Sequence, residues 1–332
     1  MAWFFLNKKM MMTDEFFMRR CLQLAANGLQ NAKPNPMVGA VIVHNGRIIG
    51  EGYHVRCGQA HAEVNAFASV AKADEPLLAE STIYVSLEPC SHYGKTPPCA
   101  DLIIAKGVRR VVVGTIDPFA IVKGRGIGKL RDAGIEVTVG VLERECQWLN
   151  RRFFVFNLKH RPYIMLKWCQ TENGFLDNGF KPCRLSSPFT TMLVHKLRAE
   201  NDAILVGRVT EERDQPLLNV REWSGRDPRK IVLDSSSPCF EGLDFSRPVL
   251  PQLMDELYIR QVQSLLVEGG AKTLQSFIDA GLWDEIRIET APMTVAEGTK
   301  APALPAEALV LSSVCYDGRR IVQYVPNSQT LK

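Results

Sequence analysis

The sequence predicts an α/β protein of two domains, the first of them built on a mixed sheet with helices on both faces. The chain has 332 residues, more than the roughly 100 to 200 that one domain usually holds. Its first 150 residues give a hairpin signal and then alternate helix and strand signals. A hairpin followed by such alternation is typical of a mixed sheet covered on both sides. The alternation starts again after Arg161-Pro162.

The elements of the first half follow from apolar spacing and turn residues. Apolar residues at helical spacing predict helices, and apolar runs bounded by turn residues predict strands. The predicted elements are a helix over 15–28, strands over 37–43 and 47–52 joined at His44-Asn45-Gly46, a helix over 62–72, a strand over 81–87, a helix over 97–106, a strand over 109–115, a helix over 128–133 and a strand over 135–141.

The charged segment 143–160 predicts the boundary between the domains, which we place at 13–150 and 160–332. The second half repeats the alternation of signals. Its predicted elements are a strand over 163–168, a helix over 190–199, strands over 203–207, 230–234 and 264–267, a helix over 273–280, and strands over 286–290 and 320–325.

Composition excludes a disordered, collagen-like or coiled-coil chain. Apolar residues make up 46% of the chain and the formal net charge is +4, an ordinary globular composition with no strongly basic character. No apolar run reaches the length of a membrane helix. The fold is expected to begin at a helix cap near Thr13, with residues 1–12 as a start-codon extension. The nine cysteines and the lack of a secretion signal predict reduced thiols in the cytoplasm, with a subset free to bind metal.

One group of residues carries a specific chemistry. His61-Ala62-Glu63 opens a predicted helix, Glu88-Pro89-Cys90 ends a strand, and Pro97-Pro98-Cys99 opens another helix. One imidazole and two thiolates suit Zn²⁺ with an open fourth position, where a bound water becomes acidic near neutral pH. His-x-Glu with Pro-Cys and a second Cys is the signature of zinc deaminases, in which the glutamate carries the proton. Singly, each residue could be structural; together and in this order they indicate zinc.

The spacing of the two cysteines narrows the class. Eight residues separate Cys90 from Cys99, whereas common deaminases have Cys-x-x-Cys. With the segments Asn35-Pro36-Met37-Val38-Gly39, Gly52-Tyr53-His54 and His61-Ala62-Glu63-Val64, the loop from Pro89 to Cys99 resembles the bifunctional riboflavin-biosynthesis family RibD. The resemblance runs from about Thr13 to near the C-terminus. It implies a cytidine-deaminase-like three-layer α/β/α domain followed by a dihydrofolate-reductase-like α/β domain.

The resemblance also implies residue roles in the deaminase half. His61, Cys90 and Cys99 would bind zinc and Glu63 would shuttle the proton. The pyrimidine and phosphate pocket would be lined by Asn35, His54, His92 and Lys95. Lys95 could instead be a solvated surface lysine. The glycine-rich stretch 124–128 is a weak nucleotide signal, and we interpret it as a strand-to-helix turn at the rim of the deaminase pocket.

In the second half, Glu268-Gly269-Gly270 joins a strand to a helix, a loop that could hold a diphosphate or be a plain turn. The resemblance favours an NADPH loop. It implies substrate contacts from Lys167 (at the end of the first strand), Arg198, Leu218, Arg221 and Glu268. It implies cofactor contacts from Gln170, Arg184, Thr210, Asp214, Ser235, Gly270, Ala271, Lys272 and Thr273. Ser187 lies in the matching Ser-Pro turn. Arg198 could equally form a helix-surface salt bridge.

The second half departs from the family pattern at several positions. Asn173, Gln215 and Arg184 replace the usual Asp, Asp and Trp. The stretch between Asp234 and Ser264 is short, with the loss placed near 235–250, where relatives have at least one more strand and helix. These changes predict a reductase weaker than the deaminase, with NADPH affinity reduced more than substrate affinity.

The sequence therefore predicts a cytoplasmic, bifunctional enzyme of riboflavin biosynthesis, forming a homo-oligomer and using Zn²⁺ and NADPH. The predicted substrate is a small pyrimidine ribose phosphate, with no nucleic-acid or membrane partner. One alternative is a monofunctional deaminase with a degenerate reductase domain. Another is a deaminase that edits nucleic acid, which the low net charge and missing aromatic-basic clusters disfavour.

Overall fold

A computed structural model describes residues 13–91, 97–119, 124–237 and 239–327. The chain divides into two compact units between Leu158 and Lys159. The elements of the first unit are α1 (Asp14–Ala26), β1 (Gly39–His44), β2 (Arg47–Tyr53), α2 (Ala62–Ala68), a 3-10 helix (Lys72–Glu80), β3 (Thr82–Leu87), α3 (Cys99–Lys106), β4 (Arg110–Thr115), α4 (Arg125–Asp132), β5 (Glu136–Val139), α5 (Glu143–Leu149) and α6 (Arg151–Lys159).

The first unit is built on a five-stranded mixed sheet of order β2-β1-β3-β4-β5. β1 pairs antiparallel with β2 and β3, while β3, β4 and β5 run parallel. Alternate residues of the strands enter two cores. Ile42 and Val85 pack with α2, α3 and α4 on one face, and Val41 and Tyr84 pack with α1 and Cys146 on the other. Helices on both faces are what the sequence predicts.

Two local features of the first sheet follow directly from residue type. The hairpin between β1 and β2 turns at Asn45 and Gly46, both with positive φ, as a two-residue Asn-Gly turn requires. Gly52 lies so close to α2 that a Cβ there would sit 2.5 Å from the Ala66 nitrogen. The absence of a side chain at Gly52 thus lets α2 pack directly on β2.

The second unit contains β6 (Tyr163–Thr171), α7 (Pro188–Glu200), β7 (Ala203–Gly207), α8 (Arg208–Asp214), β8 (Arg229–Leu233), α9 (Val249–Ile259), β9 (Ser264–Val267), α10 (Ala271–Asp279), β10 (Glu285–Ala291), β11 (Ala308–Tyr316) and β12 (Arg319–Pro326). Its seven-stranded sheet has the order β11-β12-β10-β6-β9-β7-β8. The five strands from β10 to β8 are parallel, and β12 and β11 add an antiparallel edge.

The two faces of this sheet differ in chemistry. One face sends Leu166, Trp168 and Ile288 into an apolar core with α9 and α10. On the other face Met165 packs with Leu197 of α7. Further along β6 and β10, this face carries ionisable side chains, among them Lys167 and Glu289. The helix α7 begins at Ser187, where a complete capping box with Thr190 fixes its first turn.

The structure corrects several predictions about elements. The segment 143–160, in which the sequence analysis places the domain boundary, forms the helices α5 and α6, and the two compact units divide within it. The sequence analysis also missed α8, α9 and β11. The helix α9 lies in the short stretch between Asp234 and Ser264 and buries Leu253 and Leu257 in the core, so this stretch keeps a core-forming helix. Thr13 occupies the N-cap position of α1, but its side chain makes no capping hydrogen bond within the described residues.

Within the described ranges, no helix combines the length and the apolar character needed to cross a membrane. All nine cysteines lie in the described part of the chain and are free thiols. Residues 1–12, the predicted extension, lie outside the described residues.

Candidate functional site

The predicted metal ligands meet at one point of the first unit. His61 is the N-cap residue of α2, Cys90 follows β3, and Cys99 is the first residue of α3. The Nδ1 atom of His61 lies 3.6 Å from the Cys90 sulfur and 3.3 Å from the Cys99 sulfur. One potential ligand atom from each residue lies within 4.8 Å of the other two.

These distances fit a zinc ion. With Zn–S near 2.3 Å and Zn–N near 2.0–2.1 Å, two ligand atoms of a tetrahedral site lie about 3.6 Å apart across an N–Zn–S angle. The backbone N–H of Cys99 donates to the Cys90 sulfur at 3.3 Å, a contact that favours a thiolate. Hydrogen bonds from Cys99 and His61 lower the pKa of Cys90 against the effect of its burial. Three protein donors leave a fourth position for water or substrate.

Glu63 lies beside this cluster and is buried, with 3% of its surface exposed. It belongs to the first turn of α2, two residues after His61. Burial raises the pKa of the Glu63 carboxyl above its usual value. A carboxyl group in this position can reach a molecule at the open side of the metal without being a ligand itself.

Two of the predicted pocket residues join the same site. The Asn35 side-chain amide lies 3.1 Å from the His54 ring nitrogen Nε2, and the His54 ring packs edge-on against the His61 ring at 5.3 Å. Burial lowers the pKa of His54, which favours its neutral ring. The loop that carries Asn35 is held by Asn150, whose side chain makes two 2.8 Å hydrogen bonds with the backbone of Met37.

The other two predicted pocket residues, His92 and Lys95, lie outside the described residues. The structure places their flanking ligands Cys90 and Cys99 at the metal cluster.

Sequence analysis missed the role of Glu88, which is buried beside Pro89 and Cys90. Its carboxylate accepts backbone N–H groups at distances of 2.9 to 3.3 Å from Asp117, Gly124, Gly126 and Ile127. These donors include the start of α4, where a helix favours negative charge. A Cβ at Gly126 would sit 2.0 Å from the Pro89 carbonyl oxygen. The start of α4 therefore packs directly on the segment that carries Cys90. Of the stretch 124–128, which the sequence predicts as a strand-to-helix turn, only Gly124 precedes the helix, because residues 125–128 form the first turn of α4.

In the second unit, three predicted substrate residues converge on one face of the sheet. Arg198 of α7 donates two hydrogen bonds to the Glu268 carboxylate, at 2.8 and 3.3 Å. Lys167 lies near both. Burial alone would raise the pKa of Glu268, but Lys167 and Arg198 hold it below its usual value. The predicted surface salt bridge of Arg198 is instead a largely buried pair, with 12% and 9% of the two side chains exposed.

The position of Lys167 differs from the prediction. It lies in the middle of β6 and not at its end, because the strand continues to Thr171. Burial would lower the pKa of Lys167, but Cys169, Glu268 and Glu289 raise it above its usual value. The ammonium group therefore stays charged between the carboxylates of Glu289 in β10 and of Glu268, which directly follows β9.

Leu218 and Arg221 lie on either side of Asn219 in the sequence. The two arginines predicted to bind substrate, Arg198 and Arg221, both donate hydrogen bonds to Asn219. Arg198 donates to the Asn219 backbone oxygen at 3.4 Å, and Arg221 donates to its side-chain oxygen at 3.0 Å. The same backbone oxygen is 2.9 Å from Nδ1 of the buried His195. Leu218 has a φ of 53°, a strained backbone for a leucine. Its side chain packs in the core, so only its backbone is left to face a ligand.

The predicted cofactor loop forms a tight cradle. An added Cβ at Gly207, the last residue of β7, would lie 2.3 Å from the Thr273 hydroxyl in the first turn of α10. A Cβ at Gly270 would lie 3.3 Å from the Thr210 hydroxyl of α8. The N–H groups at the start of α10 and the side-chain-free backbone around them suit a diphosphate. Ala271 and Lys272 open the helix, and Lys272 is exposed.

The remaining predicted cofactor residues are more dispersed. Gln170 accepts a 2.8 Å hydrogen bond from the Trp168 indole, and both residues alternate with Lys167 along β6, so the Gln170 side chain stands on the opposite face. Arg184 and Ser235 are exposed, and Asp214 is exposed at the end of α8. Ser187 is the buried N-cap residue of α7.

Comparison with known proteins decides the family. The cytidine and deoxycytidylate deaminase zinc-binding region matches residues 11–115, and the RibD C-terminal domain matches residues 162–315. The riboflavin biosynthesis protein RibD of Aquifex aeolicus is 37% identical over 319 residues, covering 86% of this chain and 88% of its own. The chain belongs to the RibD family.

Other RibD proteins are similar to this chain over most of its length. The RibD of Escherichia coli K12 is 36% identical, covering 85% of this chain and 88% of its own. A crystal structure from Thermotoga maritima, described as a diaminohydroxyphosphoribosylaminopyrimidine deaminase/5-amino-6-(5-phosphoribosylamino)uracil reductase, matches with a TM-score of 0.86. It is 34% identical and covers 94% of this chain and 98% of that chain. The predicted order of folds is confirmed, a cytidine-deaminase-like domain followed by the RibD reductase domain.

As a RibD protein, the chain carries both catalytic domains. The first is a zinc-binding deaminase domain with the His/Cys/Cys cluster, and the second is an NADPH-dependent reductase domain. The predicted bifunctional enzyme is therefore confirmed over the monofunctional alternative. The predictions of Zn²⁺ and NADPH as cofactors are confirmed as well.

Proposed function

We propose that this RibD protein performs two consecutive steps of riboflavin biosynthesis at the residues described above. The first is hydrolysis of the 2-amino group of 2,5-diamino-6-(ribosylamino)-4(3H)-pyrimidinone 5′-phosphate. The second is reduction of the ribosyl chain to ribityl. The observation that carries the proposal is the approach of His61, Cys90 and Cys99 to ligand distances beside buried Glu63. This is the constellation that a hydrolytic zinc deaminase needs.

In the deaminase half, each residue has a distinct task. His61, Cys90 and Cys99 would hold the zinc ion, which supplies Lewis acidity and an acidified water when bound. The Glu63 carboxylate would accept a proton from the attacking water and donate it to the departing amine nitrogen. Asn35 and His54, which bond to each other next to His61, would orient the pyrimidine. We also assign His92 and Lys95 to this pocket from the family resemblance.

Glu88 supports the deaminase site indirectly, through the backbone of the turn before α4. Its four backbone hydrogen bonds fix the turn before α4 against the Pro89-Cys90 segment. It is a positioning residue for the deaminase half.

In the reductase half, charge on one sheet face would bind the substrate. Arg198 and Arg221 meet at Asn219, and their guanidinium groups suit the ribose phosphate. Lys167, whose pKa is raised by the neighbouring Cys169, Glu268 and Glu289, would donate hydrogen bonds to the substrate. Glu268, held ionised by Lys167 and Arg198, accepts hydrogen bonds from the ribosyl hydroxyls or the linking amine.

The cofactor would lie at the cradle formed by Gly270 and Thr273 with Thr210. NADPH supplies the reducing equivalent when bound, and the chain orients it. The short loop between β9 and α10 offers N–H groups to the diphosphate, while the remaining contacts follow the resemblance. We retain Gln170, Arg184, Asp214 and Ser235 as proposed contacts, with Gln170 acting through its backbone because its side chain is bonded to Trp168.

One experiment tests both halves. The purified protein is given the diamino substrate with and without NADPH, and the products are identified by mass. Without NADPH we expect the deaminated ribosyl compound to accumulate, with a gain of about one mass unit as NH becomes O. With NADPH we expect a further gain of two hydrogens. A reductase slower than the deaminase would appear as transient accumulation of the first product. An unchanged substrate in both samples would contradict the proposal.

A further inference from the structure

A group of four ionisable residues lies on the reductase sheet, and only Lys167 among them has an assigned role. β6 and β10 are neighbouring parallel strands that pair Lys167 with Arg287 and Cys169 with Glu289. Paired residues of neighbouring strands point to the same face. The four side chains thus form a two-by-two block on the face that α7 covers.

Hydrogen bonds tie most of this block to its surroundings. Glu289 is fully buried. Its carboxylate accepts a 2.6 Å hydrogen bond from the Thr190 hydroxyl of α7 and a 3.4 Å hydrogen bond from the Cys169 thiol. Cys169 also lies 3.2 Å from the Ser186 hydroxyl. Further down β10, Glu285 accepts 3.0 Å hydrogen bonds from Tyr163 and Gln323. The carboxylates of this strand therefore have partners that do not depend on Arg287.

Arg287 is the exception. Only 7% of its surface is exposed, yet its Nε and Nη2 atoms find no hydrogen-bond partner among the described residues. Burial lowers the pKa of Arg287, and the nearby groups of Glu289, Cys169, Glu285 and Glu200 act in the opposite direction. None of these groups forms an ion pair with Arg287 in the described part of the chain. Buried arginines are ordinarily paired because an unbonded buried donor costs free energy.

Arg161, a largely buried arginine of the same unit, shows how such a group is ordinarily paired. Arg161 donates two hydrogen bonds to the fully buried carboxylate of Asp284, at 2.5 and 2.9 Å. This pair lies at the amino-terminal end of β6. The unit can thus satisfy a buried guanidinium where its role is structural.

We infer that Arg287 is a further substrate-binding residue of the reductase site, where its two unpartnered nitrogens, Nε and Nη2, donate N–H hydrogen bonds to a carbonyl oxygen of the pyrimidine base. Its neighbour Lys167 belongs to the proposed substrate site, and the inference rests on that proposed function. The proposed phosphate ligands, Arg198 and Arg221, both bond to Asn219. Since the phosphate is assigned to these two residues, we assign the acceptor of the Arg287 donors to the pyrimidine base. A planar fork of donors suits the planar carbonyl edge of a pyrimidine.

The test separates binding from folding. Arg287→Met keeps the length and apolar stem of the side chain but removes its donors and charge. Since no hydrogen bond to the protein is lost, the melting temperature should stay the same or rise. By calorimetry, the affinity for the ribityl product, 5-amino-6-(ribitylamino)uracil 5′-phosphate, should fall roughly tenfold to a hundredfold, as expected for hydrogen bonds to a charged group. The affinity for ribose 5-phosphate, which lacks the base, should not change.

Two controls accompany this variant. Arg161→Met removes a guanidinium that is already paired, so it should lower the melting temperature and leave both affinities unchanged. Lys167→Met should weaken product binding if the proposed reductase site is correct. Product binding unaffected by Lys167→Met would contradict the proposed site itself, whereas a loss in that variant beside wild-type affinity in Arg287→Met would overturn only the present inference.

The remaining outcomes are also decisive. An equal loss of affinity for ribose 5-phosphate would overturn the assignment to the base carbonyl. If Arg287→Met does not fold, Arg287→Lys supplies the answer, because lysine keeps the charge but cannot reproduce the planar pair of donors. We expect at least a fivefold loss of product affinity in that variant, and wild-type affinity would overturn the inference.

Discussion

The Glu88 carboxylate holds Gly126 of the α4 start by a 3.0 Å hydrogen bond to its backbone N–H. Glu88 is one residue before Pro89, whose carbonyl oxygen leaves no room for a side chain at Gly126. The hydrogen bond and the close approach act between the same two segments. They fix the distance between the first turn of α4 and the loop that carries the zinc ligand Cys90.

The first prediction concerns this contact. In Glu88→Gln, an NH₂ group replaces one acceptor oxygen and faces backbone donors, leaving buried N–H groups unbonded. We expect a loss of about 1 to 3 kcal/mol in the free energy of unfolding, together with at least a tenfold loss of deaminase turnover. Denaturant unfolding and an ammonia-release assay measure the two effects. The exposed Glu80→Gln serves as the control, and equal behaviour of the two variants would contradict the positioning role.

The second prediction is about metal content. Wild-type protein should contain about one zinc per chain, because three protein ligands meet at tetrahedral distances. Cys99→Ser replaces a thiolate with a hydroxyl, a poor zinc ligand, and should lose most of the metal. Elemental analysis checks this, with Cys57→Ser, an exposed cysteine, as the matched control. Zinc retained in full by the Cys99 variant would show that the ion is held elsewhere.

The third prediction separates the metal from the proton shuttle. Glu63→Gln is nearly isosteric and removes no ligand, so zinc content should be unchanged. Its amide cannot carry a proton, and deaminase turnover should fall at least a hundredfold. The reductase half should still reduce deaminated substrate at the wild-type rate, which shows that the variant is folded. Deaminase turnover within tenfold of wild type would remove Glu63 from the mechanism.

The fourth prediction concerns stability and pH. Asp14, in the first turn of α1, accepts hydrogen bonds from Arg110 at 2.8 and 2.9 Å and from the Tyr84 hydroxyl at 2.9 Å. The hydrogen bond with Arg110 lowers the pKa of Asp14 below its usual 3.8, against the effect of its burial. A carboxyl with a lowered pKa in the fold contributes stability above its unfolded pKa and loses it as the pH falls through the folded value.

Asp14→Asn should therefore be less stable than wild type at pH 7, by about 1 kcal/mol. The difference should be constant down to about pH 5 and should shrink below pH 4. Urea unfolding at a series of pH values measures it. Asp132→Asn, a substitution at the last residue of α4, is the control and should show no comparable difference. A gap between Asp14→Asn and wild type that widens on acidification would contradict the assigned sign.

The success of the sequence analysis at the zinc site has a physical basis. His61, Cys90 and Cys99 lie at the ends of elements, and the chemistry of a metal admits few other residue types. The parts of the site that the analysis missed depend on tertiary cover. Glu285, Arg287 and Glu289 alternate with isoleucines, a pattern typical of a strand with one wet face. Only the placement of α7 over that face makes these charges buried.

The helix α9 was missed for a related reason. The short stretch between Asp234 and Ser264 suggested missing elements, and Pro248 and Pro251 discourage a helix prediction. In the structure both prolines lie where a helix tolerates them, at the N-cap and within the first turn. The weaker reductase that the short stretch predicts stays a prediction.

The fifth prediction tests the NADPH cradle. In Gly207→Ala the new methyl group would approach the Thr273 hydroxyl to 2.3 Å, so the first turn of α10 must move away from β7. Since that turn supplies the proposed diphosphate donors, NADPH affinity should fall at least tenfold, measured by quenching of protein fluorescence. Deaminase activity should stay at the wild-type level. Gly128→Ala, where nothing lies within 4 Å of the added carbon, is the control and should bind NADPH normally. If Gly207→Ala binds NADPH like wild type, the cofactor does not depend on this turn, and the diphosphate must be held by other residues of the second unit.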